Sequence, residues 1–277
     1  MSDDYLRKKA AWFRRVIFEM LSKAEQGHPG SVLSLAEVLV ALFYGGVFRF
    51  ENGNPLAIER DKIIISKGHA TMALYPIFSD IGYFNSDELD AFGTPEGRLR
   101  IFGNTTIPGI DATTGSLGHG LGIGVGYAIA AKYDGLSSRV FVVISEGEMY
   151  EGSIWESALA AAHHGLDNLV VILDRNRKII LGDTEDLTQL EPIADKWESF
   201  GFETATVDGH SFSELDAAFS RIVELDGKPI VVIANTVKGK GIPLMEDDAN
   251  WHYWQSIGED EVKCIRAHLK AVEDSIQ

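Results

Sequence analysis

The stretch VVISEGEMYEG, Val142 to Gly152, closes a run of apolar, β-branched residues and then sets Glu146, Glu148 and Glu151 around Gly147 and Gly152. An apolar run with no polar alternation reads as a strand covered on both faces. A second such run, NLVVILD, ends at Asp174 and leads into Arg175, Asn176, Arg177 and Lys178. Two buried strands thus end in carboxylates and an amide, with glycine between them.

The same alternation extends along the chain. KIIIS, VFVVIS, NLVVILD, ETATV and PIVVIANT read as strands. Helical patterns fall between them, over about 70–82, about 154–165, near Trp197, and after Ser211 with Glu214. This order predicts an α/β fold: a parallel sheet with helices on both faces and its ligand site beyond the carboxyl ends of the strands. The N-terminal helix shows a core stripe at Phe13, Ile17, Met20, Leu21 and Ala24 and stops near Gly27, and a second helix is expected to start at Ser34 in a capping box with Glu37. No repeat or low-complexity linker interrupts the chain, so 1–277 reads as one domain with a flexible tail at about 272–277.

Composition bounds the function. A hydrophobic content of 45% in 277 residues supports a globular core, and no apolar run approaches the roughly 20 residues of a membrane span. The N-terminus lacks the order of a secretory signal, and Cys264 has no partner for an internal disulfide, so a cytoplasmic location is expected. A net charge of -16 argues against nucleic acid or an anionic membrane as partner. An anionic ligand therefore needs local neutralisation.

Neighbouring parallel strands would bring Glu146 and Asn176 to one edge, where a hard cation such as Mg²⁺ needs about six oxygens. One carboxylate, one amide oxygen, one backbone carbonyl, a water and two diphosphate oxygens would complete that set. From the residues alone, the same pair also reads as ordinary helix capping.

The two strand ends resemble the thiamine-diphosphate motif, written GDG with N about thirty residues later. Further segments are similar to the transketolase family in that family's order: KAEQGHPGS (23–31), DKIIISKGHA (61–70), PGIDATTGSLGHGLGIGVGYA (108–128), AAHHGLDNLVVILDRN (161–176), then VKGKGI and NWH. The resemblance covers the diphosphate-binding half only. It implies the N-terminal subunit of a split transketolase, a transferase of carbohydrate metabolism. It also implies a C-terminal, pyrimidine-binding partner that carries the carboxylate activating the cofactor ring, an α2β2 heterotetramer, and thiamine diphosphate with Mg²⁺.

By position, the resemblance assigns Glu146, Asn176 and the Lys178 carbonyl to the metal. It assigns Gly115, Leu117, Gly118, Gly147, Glu148, Asn176 and His69 to the cofactor. His28, His69 and His252 match histidines lining the substrate channel, and Glu151 matches the acidic residue that communicates with the partner's activating carboxylate. The activity implied is transfer of a two-carbon ketol unit from a ketose, phosphorylated or otherwise modified, to an aldose. Such transfer moves protons on hydroxyl and carbonyl oxygens, for which imidazole suits neutral pH. His163 and His164 read instead as packing or surface residues, and His210 as a local structural residue. His119 is placed near the cofactor. The glycine run GHGLGIGVG lacks the strand and the acidic residue of a dinucleotide fingerprint, and close helix packing against the cofactor fits it better.

Two departures matter. Ser145-Glu146-Gly147 replaces GDG, and the extra methylene shifts the carboxylate by roughly 1.5 Å, which Ca²⁺ or Mn²⁺ tolerates more easily than Mg²⁺ unless Glu148 or Asp174 compensates. The family's G-H-P segment, whose histidine contacts the donor sugar, is replaced by Ile101-Phe102-Gly103, with no histidine between His69 and His119. An altered donor or a lost activity would follow. The alternatives are another thiamine-diphosphate enzyme subunit, of 2-oxo acid dehydrogenase or synthase type, and a non-catalytic regulatory paralogue.

Overall fold

The structure, a computed structural model, describes residues 1–224 and 227–276. Its strands are β1 (Lys62–Ile65), β2 (Val140–Ser145), β3 (Leu169–Arg175), β4 (Lys178–Ile179), β5 (Gly182–Asp183), β6 (Glu203–Asp208) and β7 (Ile230–Asn235). Five form a sheet in the order β1-β2-β3-β7-β6, every pair parallel, while β4 and β5 make a small antiparallel hairpin. The expected parallel sheet is therefore present.

The apolar runs are explained by two separate cores. Phe141, Val143, Val170, Ile172 and Val232 pack with the helices Asp3–Ala24, Ala36–Tyr44 and Phe212–Ser220 on one face. Val142, Ile144, Val171, Leu173 and Val231 pack with His119–Tyr133, Gly152–His163 and Ile193–Ser199 on the other. Each buried aliphatic side chain contributes roughly 1.5–3 kcal/mol relative to exposure. The edge strand β6 alternates instead, with Ala205 and Val207 buried and Thr206 and Asp208 exposed.

Register sets the site. Ser145 lies beside Asp174, and Asp174 beside Ala234, so the segments that follow β2, β3 and β7 leave the sheet together. The loop after β1 joins them, since Ile65 pairs with Val143.

Three expectations need correction. Ser34 is not an N-cap: it is fully buried as the C-cap residue of Pro29–Leu33, and Leu35 is the N-cap of Ala36–Tyr44. Its hydroxyl donates to Asp174 Oδ2 at 2.7 Å, while Glu37 holds Arg14 at 2.6 and 2.7 Å and His210 at 2.7 Å. Tertiary partners have taken both halves of the capping box. The helix expected over 70–82 begins as a 3₁₀ segment, Gly68–Ala73, before Leu74–Asp80. The tail expected at 272–277 starts inside a helix, Glu259–Ser275, whose buried Ile265 and Leu269 join the first core; Gln277 lies outside the described residues. In the glycine run, two positions pack on the sheet. A Cβ at Gly120 would lie 2.4 Å from Ser66 Oγ and one at Gly124 would lie 2.4 Å from Val142, so these glycines let the helix His119–Tyr133 approach the sheet.

Among the described residues, no helix is long and apolar enough to cross a membrane.

Candidate active site

A cleft of about 360 Å³ opens at the carboxyl ends of β2 and β3. His28, His69, Gly115, Leu117, Glu146, Gly147, Asn176, Lys178 and His252 line it, which brings together residues from most of the chain's length. Gly118, Glu148 and Glu151 lie outside the lining.

Glu148 is fully buried, and both oxygens are occupied. Oε1 accepts from Ser66 Oγ and, at 3.0 Å, from Gly118 N–H; Oε2 accepts from Ser145 N–H at 2.9 Å and Ser145 Oγ at 3.4 Å. It ties the ends of β1 and β2 to the turn before the helix His119–Tyr133 and does not face the cleft. Gly118 sits in that turn with φ +84°, where a Cβ would meet Glu151 Cβ at 2.6 Å. Glu151 itself is exposed at the start of the helix Gly152–His163.

Asp174 is the second saturated carboxylate. It accepts from Ser34 Oγ at 2.7 Å, Asn176 Nδ2 at 3.3 Å, Lys67 Nζ and Thr236 Oγ1. Burial would raise its pKa, but the Lys67 ammonium and these hydrogen bonds outweigh that and hold it below the ordinary value. Neither Glu148 nor Asp174 is free to compensate for the length of Glu146.

Glu146 differs from both. Oε2 accepts from Arg175 Nη1, whereas Oε1 is buried without a partner. Burial pushes its pKa up to about 7 against the opposing pull of Arg175. Asn176 Oδ1 accepts only from Lys178 N–H, at 3.1 Å, and keeps a second lone pair. A bare carboxylate oxygen, an amide oxygen and the nearby Lys178 carbonyl are a donor set that a hard divalent cation fits. Among the described residues, no group of three or more His, Cys, Asp or Glu side chains is placed to hold a metal ion, in this cleft or elsewhere.

The three histidines meet. Ring centroids are 4.8 Å apart for His28 and His69, 5.4 Å for His28 and His252, and 5.4 Å for His69 and His252. Burial, aided by nearby cations, lowers all three pKa values: His28 to about 4, His252 to about 3, and His69 well below its usual value. Neutral imidazoles at physiological pH can both accept and donate.

Lys67 and Lys238, both 1% exposed, line the same cleft and were not singled out by the sequence. Lys67 is neutralised by Asp174. Lys238 forms no salt bridge among the described residues, its ammonium lying 3.3 Å from His252 Nδ1, and burial lowers its pKa to about 8. It supplies the local positive charge that the acidic chain otherwise lacks. Its place in VKGKGI, directly after a buried strand, was the available signal.

Phe102, half exposed, stands 6.3 Å from the His28 ring, and Tyr253 stands 4.8 Å from it, making an aromatic rim. His210 is structural, as expected: Nδ1 bonds Glu37 and Nε2 accepts from Val237 N–H at 2.8 Å. His163 and His164 are exposed. His119 is exposed as well, bonding Leu117 carbonyl at 3.2 Å, and does not line the cleft; its helix turns it outward.

Residues 7–274 match the family model described as transketolase, thiamine diphosphate binding domain. One of the subunits of an apulose-4-phosphate transketolase from Phocaeicola vulgatus is 36% identical, covering 94% of this chain and 92% of that protein. A 6-deoxy-6-sulfo-D-fructose transketolase subunit from Clostridium sp. (strain MSTE9) is 38% identical over 87% and 88%. The crystal structure of transketolase from Campylobacter jejuni superposes with a TM-score of 0.90 at 28% identity, covering 100% of this chain and 46% of that one. The chain thus spans about half the length of that solved transketolase. It belongs to the transketolase family, as a thiamine-diphosphate-binding subunit of a transketolase-type transferase.

Proposed function

We propose that this chain is the diphosphate-binding half of a two-subunit enzyme that moves a two-carbon ketol unit from a phosphorylated or otherwise modified ketose to an aldose. The observation that carries the reading is the convergence of His28, His69 and His252 above Glu146 and Asn176 in one cleft that also holds Lys238.

Thiamine diphosphate, when bound, supplies the electron sink that such carbon-carbon chemistry requires. The chain's own residues do the rest of the positioning. Glu146 Oε1, Asn176 Oδ1 and the Lys178 carbonyl would hold Mg²⁺, with Ca²⁺ or Mn²⁺ as alternatives. Lys238 and the cation would neutralise the diphosphate, and Gly147 lets it approach the backbone closely. His28, His69 and His252, kept neutral by burial, take and return protons at substrate hydroxyl and carbonyl oxygens. The aromatic rim of Phe102 and Tyr253 leaves that side of the cleft with few hydrogen-bond donors, which suits a modified donor.

Activity requires a C-terminal subunit that carries the ring-activating carboxylate, and exposed Glu151 faces that partner. The relatives named as subunits support this. So do the exposed apolar side chains Tyr127, Ile129, Tyr133 and Leu159 on two neighbouring helices, which suit assembly into an α2β2 complex in the cytoplasm.

The test is a thiamine diphosphate titration of the co-expressed complex, then assay with xylulose 5-phosphate and with branched and deoxy-sulfo ketose donors. Metal-dependent binding with ketol transfer to an aldose is expected, and this chain alone is expected to be silent. Transfer by the chain without its partner, or binding without turnover of any ketose, overturns the reading.

A further inference from the structure

Arg175 is an unexpected neighbour for a carboxylate assigned to a cation. It is 2% exposed at the end of β3, between Asp174 and Asn176. Its Nη1 donates to Glu146 Oε2 and, at 2.9 Å, to Thr184 Oγ1. Its Nη2 donates to Glu185 Oε1 at 2.9 Å and to Glu191 Oε1 at 3.2 Å. Three stretches of chain therefore converge on one buried guanidinium.

A glutamate ligand carries one rotatable bond more than an aspartate, so its tip is both displaced and less fixed. The guanidinium is a rigid planar fork that orients whatever carboxylate docks on it. By engaging Oε2, Arg175 leaves Glu146 with one bare oxygen, Oε1, on a residue that lines the cleft. A buried, bare oxygen beside an engaged one is a single-oxygen ligand.

We infer that Arg175 is a positioning residue that makes Glu146 a monodentate cation ligand, and that the segment from Thr184 to Glu191 belongs to the cation site by holding Arg175 in place. The inference rests on the cation reading proposed above. A monodentate carboxylate suits the strict octahedron of Mg²⁺, whereas a carboxylate free to turn offers both oxygens, as Ca²⁺ sites commonly use. The positive charge on Arg175 would by itself repel a cation. Glu185 and Glu191 on its other nitrogen offset that charge, which explains why two partly exposed carboxylates are drawn to a buried side chain.

The experiment is calorimetric titration of Mg²⁺ and of Ca²⁺ into the partner-assembled complex with thiamine diphosphate present, and Mn²⁺ binding by electron paramagnetic resonance. The proteins compared are the unsubstituted chain, Arg175→Met, Arg175→Lys and the double variant Glu185→Gln/Glu191→Gln. Outer-sphere partners of metal ligands are worth about 10–100-fold in affinity. Arg175→Met is therefore expected to lose about 10–100-fold in Mg²⁺ affinity and less in Ca²⁺ affinity, so that the preference for Mg²⁺ falls; Arg175→Lys recovers part of it. The double variant, which leaves Arg175 and Glu146 in place, shifts the preference in the same direction by less. Unchanged cation preference in a folded Arg175→Met protein, or tighter Mg²⁺ binding there, overturns the inference and leaves the cation site standing. Should Arg175→Met fail to fold, an unchanged preference in the double variant overturns it. No binding of any of the three cations by the unsubstituted complex overturns the cation reading itself, and this inference with it.

Discussion

Three carboxylates are buried at the carboxyl edge of one sheet, and they have different fates. Asp174 and Glu148 accept four hydrogen bonds each, most of them from residues distant in the chain. Glu146, two residues from Glu148, keeps one oxygen bare. A buried polar atom without a partner costs about 1–3 kcal/mol. The two saturated groups are scaffold, and the unsaturated one is the carboxylate proposed above as the cation ligand. Burial alone does not separate them; the count of partners does.

Breaking a saturated member should cost most. Asp174→Ala strands the buried Lys67 ammonium and three further donors, and loss of one partner of a buried pair is worth about 3–5 kcal/mol. Thermal and urea unfolding should show a fall of that size, and an unchanged melting temperature would refute the scaffold role. Glu146→Gln should do the reverse. It removes the charge that pairs with buried Arg175 but keeps an acceptor there, and Arg175 retains Glu185 and Glu191, so it should cost less stability than Asp174→Ala while metal-dependent thiamine diphosphate binding falls on the order of 100-fold, the upper end of what an outer-sphere change costs. A large loss of stability with cofactor affinity intact would invert the comparison.

Lys238→Met sharpens the contrast on the cationic side. Lys67 is paired and Lys238 is not, so removing Lys238 should leave stability unchanged or slightly raised. The same change should weaken cofactor binding by about 1.5–3 kcal/mol, the range for a hydrogen bond to a charged group. Fluorescence titration beside a melting curve reads both signs.

A last test is pH dependence. His28 and His252 titrate at about 4 and about 3 in the folded chain, both below the ordinary value of 6.5. Between those values the unfolded chain binds more protons, so stability rises with pH across that window. The contribution is complete above pH 6.5 and is lost as pH falls towards 4 and then 3. Urea midpoints at pH 7, 5.5 and 4.5 should fall in that order for the complete chain and fall less for His28→Asn.

The apolar strands were legible because burial on both faces removes polar alternation, and the glutamate and asparagine closing β2 and β3 followed from parallel register. Ser34 was not legible. Its S-x-x-E spacing satisfies a local rule, yet Asp174, 140 positions away, and the Arg14–His210 pair around Glu37 outcompete it. Lys67 and Arg175 were hidden for a related reason: a charged residue in a motif shows its type but not its buried counter-charge, which is set by tertiary packing. The close packing read from the glycine run is met at Gly120 and Gly124 by the sheet. The spacing of four residues from Gly120 to Gly124 fits a helix lying on a sheet as well as on a ligand, and at these two positions the neighbours are Ser66 and Val142.

The strand order also constrains how the chain can reach this state. β6 is made before β7 but lies beyond it, so β6 has no sheet partner until Ile230–Asn235 has been synthesised and has slipped between β3 and β6. Until then β3 presents an open edge, and Asp174 lacks the Thr236 hydroxyl. Parallel pairings between distant segments form slowly, and an unpaired apolar edge invites association with other chains. A nascent chain stalled before residue 230 is thus the species most in need of a chaperone, and pulsed hydrogen exchange should find protection in β3 and β6 arising in the same step as β7.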